Sequence, residues 1–397
     1  MKSVKRYVVS IVALLQLGLL SCLGAGCSSG QPGGFDSGLA LKLQQSLDRS
    51  VALLAIPGAV MAVRAPDGTT WAGASGHAVL PAANGSPVTI EMTTDLHFRI
   101  ASTTKSLTAT IILQLVDEGK LSLDETLDQI MARWFAPGYI DFAIPYSDTI
   151  TLRNLMEMRS GMADYSSTAA FAALMQKQPP EPVDPRELIR MSVQSTNPAS
   201  HAPDVAMEYC NTNFIMQGII IEQVTDNSFA SELEGRLLVP LGMTETLEPT
   251  GIAMPSPYAH GYLFGEGQLH DMTDTLDPSW LWSGGGIVST IGDLRTWVTA
   301  LVDGRMISPA MQQERMKMKP GFVETWPVEY GLGIYNDNGA IGHYGNCAKF
   351  YTTYAMRYAG YDIAVLTNGE LQEHSDPERH PARSIFWNAV QDAGISP

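Results

Sequence analysis

Ser102-Thr103-Thr104-Lys105 runs straight into Ser106-Leu107-Thr108-Ala109-Thr110-Ile111-Ile112-Leu113-Gln114-Leu115-Val116, and the reading of this stretch decides the fold. If residues 102–116 are helical, positions 102 and 105 share one face, with their side chains in reach of each other. Leu107 to Val116 is apolar on nearly every side, the pattern of a helix buried at the centre of a protein. Phe98-Arg99-Ile100-Ala101 reads as a short strand leading in. A serine hydroxyl is a weak nucleophile at neutral pH until a neighbouring group takes its proton. A lysine whose pKa is lowered by desolvation or by a second cation can be that group. The same residues also fit a Thr/Ser-rich helix N-cap followed by a surface lysine, so the rest of the chain must decide.

Outward from this stretch, both ends of the chain alternate like strands. Leu39, Leu43, Leu47, Val51 and Leu54 recur at helical spacing, and Gly58 to Arg64 then reads as a strand. Pro66-Asp67-Gly68 is turn chemistry, and Thr69 to Gly73 returns as the partner strand. The C-terminus mirrors this arrangement. Phe350 to Tyr358 and Tyr361 to Leu366 are strands around Ala359-Gly360, and a closing helix covers Arg383 to Val390. Between them, residues 105–245 are mostly helical in period, as in Asn213 to Val224 and Phe229 to Leu238. The reading is an α/β fold: an antiparallel sheet flanked by helices, built from both termini, with a mostly helical domain inserted. The boundaries fall at 35–104 and 280–397 for the α/β part and 105–279 for the insert, with the active site between them.

Composition agrees with a globular protein: 45% hydrophobic and 17% charged, over 397 residues. The first residues are a targeting segment. Lys2, Lys5 and Arg6 precede an apolar run from Val8 to Leu20, too short to span a bilayer comfortably. Cys22 and Cys27 each follow small residues, as the lipidated cysteine of a bacterial lipoprotein does, and Ser28 to Gly34 forms a flexible tether. Segment 1–34 therefore implies export to the periplasm or cell envelope, either with a lipid anchor at Cys22 or Cys27 or after a plain secretory leader. The formal charge of −16 argues against nucleic acid as a partner, because phosphate neutralisation needs clustered Lys and Arg. Cys210 and Cys347 remain in the body, either as a disulfide or as two inert thiols.

Two more clusters can join Ser102 and Lys105. In Glu208-Tyr209-Cys210-Asn211-Thr212-Asn213, the Tyr209 phenol can relay protons, and the Asn211 amide can both donate to a substrate carbonyl and accept from Lys105. Tyr209 also fits a core aromatic and Asn211 a helix N-cap. In Gly342-His343-Tyr344-Gly345, glycine lets a substrate backbone lie along a strand edge and frees a backbone N–H for a developing oxyanion. Tyr-x-Asn recurs here, as Tyr344-Gly345-Asn346.

The order of the three clusters resembles that of the penicillin-recognising serine hydrolases: class C β-lactamases, serine D-alanyl-D-alanine carboxypeptidases and related esterases. Arg159-Ser160-Gly161-Met162-Ala163-Asp164-Tyr165 is similar to that family's Ser-Gly-Leu segment, and Ser283 to Thr290 to its glycine-rich turn. The likeness covers roughly residues 37–395 and is strongest to secreted carboxypeptidases with a His-x-Gly third motif. It implies that Ser102 is acylated, that Lys105 accepts its proton, and that Tyr209 shuttles protons to the leaving group and from water. It further implies that Asn211 orients Lys105 and the substrate amide, and that His343 supplies a polar or cationic group next to Tyr209. With a cationic His343, activity would respond to mild acid. The backbone N–H groups of Ser102 and Asn346 would form the oxyanion hole, and Tyr344 and Gly345 would line the substrate. The substrate would be a small peptide, an ester or a β-lactam, with no metal and no organic cofactor. Tyr344 stands where carboxypeptidases usually carry threonine, which puts a D-Ala-D-Ala terminus in question and leaves esterase and β-lactamase action open. A non-catalytic envelope binding protein is the reading from another class.

Overall fold

The computed structural model describes residues 34–177, 181–275, 277–323, 326–372 and 379–397; the leader, with Cys22 and Cys27, lies outside them. From the first half of the chain come strands β1 (Gly58–Arg64), β2 (Thr70–Val79), β3 (Ile90–Glu91) and β4 (His97–Arg99). A hairpin, β5 (Tyr262–Gly265) and β6 (Gln268–Asp271), and the short β7 (Val288–Thr290) follow. The C-terminal set is β8 (Lys319–Val323), β9 (Trp326–Tyr330), β10 (Tyr335–Asp337), β11 (Ala340–Cys347), β12 (Tyr351–Tyr358) and β13 (Tyr361–Thr367). Nine of these form one antiparallel sheet in the order β3-β2-β1-β13-β12-β11-β10-β9-β8, so the two ends of the chain meet where β1 pairs with β13. The expected α/β class, an antiparallel sheet built from both termini and flanked by helices, is what the chain forms.

The flanking helices follow from the sequence pattern. Ser37–Leu54 starts at Asp36, whose carboxylate accepts from Leu39 N, and buries Leu43, Leu47 and Val51. Pro381–Ala393 closes the chain, starts with proline, and buries Ile385, Phe386, Ala389 and Val390. Alanines pair across the middle of the sheet, Ala62 with Ala364 and Ala364 with Ala355, and small side chains there let a helix approach closely. The row ends at His343, opposite Ala355.

Strands β8 to β10 were not legible in the sequence. Pro320, Gly321 and Pro327 interrupt their alternation, and a proline-bearing strand survives at a sheet edge, where β8 lies. Ser283 to Gly285 also differs from a simple turn, since Trp282–Gly285 winds into a short helical turn before β7.

The helix Thr104–Asp117 is buried from Thr104 to Leu113 and again at Leu115. Polar side chains bind it to its surroundings. Trp297 Nε1 donates to Ser106 Oγ at 2.8 Å, Ser106 Oγ donates to the Thr103 carbonyl at 2.7 Å, and Arg315 Nη2 donates to Thr110 Oγ1 at 2.6 Å. These bonds offset the cost of burying hydroxyls in a core. No helix among the described residues is long and apolar enough to cross a membrane.

Candidate active site

Strand β4 delivers the chain to Ala101, whose φ of 47° lies in the left-handed region. For a residue with a Cβ this conformation costs about 1 kcal/mol and persists only when its surroundings enforce it. A 3₁₀ turn over Ala101–Thr103 then leads into the central helix, placing Ser102 at its mouth. Lys105, one turn on, is fully buried.

Three oxygens surround the amine of Lys105. Nζ lies 2.9 Å from Ser102 Oγ, 2.8 Å from Asn211 Oδ1 and 2.6 Å from the Gly284 carbonyl. It also sits 5.2 Å from the ring centroid of Tyr209. Burial pushes its pKa down to about 7, against an opposing pull from the Asp164 carboxylate. An amine with that pKa is free of its proton in about half of the molecules at neutral pH, as a general base has to be.

Ser102, Lys105, Tyr209 and Asn211, drawn from segments a hundred residues apart, therefore meet at one place. The helix Thr212–Thr225 brings Asn211, at its N-cap position. Asn211 Nδ2 and its backbone N each donate to Asp164 Oδ2 at 2.9 Å. Asp164 belongs to the Ser-Gly-Met-Ala-Asp loop, where Gly161 has a φ of 73° and a Cβ would lie 2.1 Å from the His201 carbonyl. Sequence reasoning assigned no role to Asp164 or to the Gly284 carbonyl. Asp164-Tyr165-Ser166 does carry a readable Asx signature, since Asp164 Oδ1 accepts from Ser166 N at 2.9 Å. A backbone carbonyl leaves no such trace. A cleft of about 690 Å³ has Asp164 and Tyr209 in its wall and reaches to Arg190 and Glu208.

The third cluster lies on β11. A Cβ on Gly345 would come within 2.3 Å of the Ile100 carbonyl and 3.0 Å of Ser102 N, so only glycine lets the strand lie against the nucleophile turn. Ser102 and Gly345 are thus neighbours through their backbones, with Asn346 next along the strand. Asn346 Oδ1 accepts from Lys349 N at 2.9 Å, which closes the turn after β11. Tyr344 is buried, its ring centroid 6.2 Å from that of Tyr209 and 5.1 Å from that of His380.

His343 departs from expectation. It is fully buried, with Nε2 3.0 Å from the Tyr330 hydroxyl and Nδ1 2.7 Å from the Tyr344 carbonyl. Burial pushes its pKa down to about 3. The ring is neutral over the physiological range, so of the polar or cationic group expected beside Tyr209 it is the polar, uncharged form, and the mild-acid response that a cation would bring is corrected. The sequence showed a histidine at a strand edge; it did not show that Tyr330 and Tyr335, from β9 and β10, enclose it. Cys210 and Cys347 are buried free thiols, and burial raises the pKa of both. Among the described residues no cluster of His, Cys, Asp and Glu is arranged to hold a metal ion.

A serine, a desolvated lysine, a phenol and an oriented carboxamide beside a strand edge define a serine hydrolase site of the penicillin-recognising kind. The chain belongs to the β-lactamase family, which it matches over residues 43–385. It is 27% identical over 334 residues to penicillin-binding protein 4 of Amycolatopsis lactamdurans, covering 79% of this chain and 81% of that one. It is 24% identical over 303 residues to penicillin-binding protein 4* of Bacillus subtilis, covering 71% of this chain and 62% of the relative. Among solved structures, the D-amino acid amidase of Ochrobactrum anthropi SV3 superposes with a TM-score of 0.78 at 25% identity, over 91% of this chain and 100% of that one. A D-stereospecific amidohydrolase from Streptomyces sp. gives 0.70 at 28% identity, over 83% and 94%.

Proposed function

We propose that the protein is an exported serine amidohydrolase that forms an acyl-enzyme on Ser102 and acts on amides or short peptides of D-amino acids. The observation that carries this reading is the 2.9 Å contact between Lys105 Nζ and Ser102 Oγ in a site where burial holds the amine near neutrality. In this reading Lys105 takes the serine proton, Tyr209 passes it to the leaving group, and Asn211 holds Lys105 and the substrate amide. The backbone N–H groups of Ser102 and Asn346 receive the oxyanion, in a cleft between the α/β part and the helical segment 105–279. Residues 1–34 direct export.

A simple amide is favoured over a peptide whose leaving amino acid carries a free carboxylate, because His343 is neutral and enclosed, so the third motif offers no imidazolium to bind an anion. The two amidase neighbours support the same choice. Carboxypeptidase action on D-alanyl-D-alanine ends is the second reading, supported by the penicillin-binding relatives. A substrate panel separates the two. D-phenylalanine amide should be turned over with a kcat/KM at least about tenfold above that for a D-alanyl-D-alanine peptide, since a missing charge partner is worth 1.4 kcal/mol or more. The reverse order establishes the carboxypeptidase. Ser102→Ala should lose all turnover and all labelling by a fluorescent penicillin; retained labelling would refute the acyl-enzyme.

A further inference from the structure

We propose that Asp164 is the positioning residue of this site: by fixing which end of the Asn211 amide faces Lys105, it aims the lysine lone pair at the Ser102 hydroxyl. The inference rests on the acyl-enzyme reading and adds to it a residue outside the three motifs.

The argument is one of donors and acceptors. A neutral lysine amine has two N–H bonds and one lone pair. Two of the three atoms around Lys105 Nζ, Asn211 Oδ1 at 2.8 Å and the Gly284 carbonyl at 2.6 Å, can only accept. They take both hydrogens. The lone pair is left facing Ser102 Oγ at 2.9 Å, the one of the three that can donate a proton to it. Were the Asn211 amide reversed, its NH₂ would face Lys105 and compete for that lone pair.

What prevents the reversal is a carboxylate oxygen, which cannot donate. Asp164 Oδ2 accepts from Asn211 Nδ2 and from Asn211 N, each at 2.9 Å. Its other oxygen accepts from Ser166 N at 2.9 Å and Ser166 Oγ at 2.8 Å, so the carboxylate cannot swing away without leaving these donors unpaired. The loop itself is pinned to the Asn211 helix, with Thr212 Oγ1 donating to the Ala163 carbonyl at 2.8 Å and accepting from Tyr165 N at 3.0 Å.

Asp164 has a second effect, of opposite sign to burial. Its charge raises the pKa of Lys105, whereas burial lowers it to about 7. The other groups facing Lys105 are the Tyr209 and Phe214 rings, the Cys210 thiol and His343. Burial keeps Cys210 and His343 uncharged at neutral pH, so Asp164 supplies the charge.

Asp164→Asn removes the charge and one of the two acceptor oxygens together, since an amide has a single acceptor oxygen and cannot serve Asn211 and Ser166 at once, and the rate and the titration read the two losses separately. Acylation of Ser102 by a p-nitrophenyl ester, read as the burst of p-nitrophenol, should slow about 10- to 100-fold. The acid limb of that rate should move to lower pH by roughly half a unit or more, since the charge that favours the lysine proton is gone. An NMR titration of the Lys105 side chain in the full chain should move the same way. Loss of rate by loosened packing alone would leave both titrations where they were. Asp164→Glu keeps charge and acceptor; it should hold the acid limb in place with acylation within about tenfold of the parent, and serves where the asparagine variant does not fold. Asp164→Asn acylating within about threefold, with an unmoved limb, overturns the proposal. If the unaltered protein gives neither a burst nor steady turnover of the ester, the hydrolase reading falls on its own. The titration of Lys105 then decides for Asp164: a downward shift in Asp164→Asn supports it, and none overturns it.

Discussion

Tyr209-Cys210-Asn211 and Tyr344-Gly345-Asn346 are the same pattern in sequence, and the fold uses them in opposite ways. In the first, the chain turns into the helix Thr212–Thr225, and ring and amide both converge on Lys105. In the second, the chain is extended in β11, where alternate residues share a face. Gly345 meets the nucleophile turn with its backbone, Tyr344 is packed among aromatic rings, and the Asn346 side chain closes a turn. One stretch contributes side chains and the other contributes main chain. Backbone conformation, which a three-residue pattern does not encode, sets that difference.

Four substitutions press on the comparison. The largest effect should come from Asn211→Leu, which keeps the volume and removes the acceptor 2.8 Å from Lys105. Loss of a preorganised polar contact at a reacting group costs about 10²- to 10³-fold in rate, to be read in pre-steady-state acylation. Next is Gly345→Ala, whose Cβ would sit 2.3 Å from the Ile100 carbonyl. Pushing β11 off the nucleophile turn by an ångström should lower kcat about 100-fold, with circular dichroism unchanged.

His343→Gln should change stability more than rate. The folded imidazole resists protonation down to about 3, while in the unfolded chain it protonates from 6.5 downward. Native stability is therefore full above pH 6.5 and falls as pH drops towards 3, by up to about 1.4 kcal/mol per unit from this group. Chemical denaturation at pH 7 and pH 4.5 should show a smaller loss in the glutamine variant than in the parent. The smallest effect belongs to Asn346→Ala, whose side chain accepts from Lys349 N in the turn after β11. Acylation should stay within about threefold, and stability should fall by about 1 kcal/mol. A loss as large as that of Asn211→Leu would make the two stretches equivalent and end the contrast.

Much of this was legible beforehand, for identifiable reasons. Ser102, in the 3₁₀ turn that opens the central helix, and Lys105, in its first turn, are three residues apart, and local geometry alone brings them together. The strands at both ends alternate cleanly, and the apolar helix between them has no exposed stripe. The sequence leaves open whether His343 is polar or cationic, because its charge depends on Tyr330, Tyr335 and the depth of β11, all set by distant pairing. Strands β8 and β9 were hidden by Pro320 and Pro327, and β10 by its length of only three residues, Tyr335–Asp337.

The sequence by itself determined the chemistry available: a hydroxyl and an amine at helical spacing, and the strands and helices that carry them. It did so because helix and strand formation answer to neighbours within a few residues. Only the tertiary structure decided the protonation of Lys105 and His343, the orientation of Asn211 against Asp164, and which Tyr-x-Asn works through its side chains. Those properties depend on desolvation and on hydrogen-bond partners brought in from far along the chain, and spacing along a sequence carries neither.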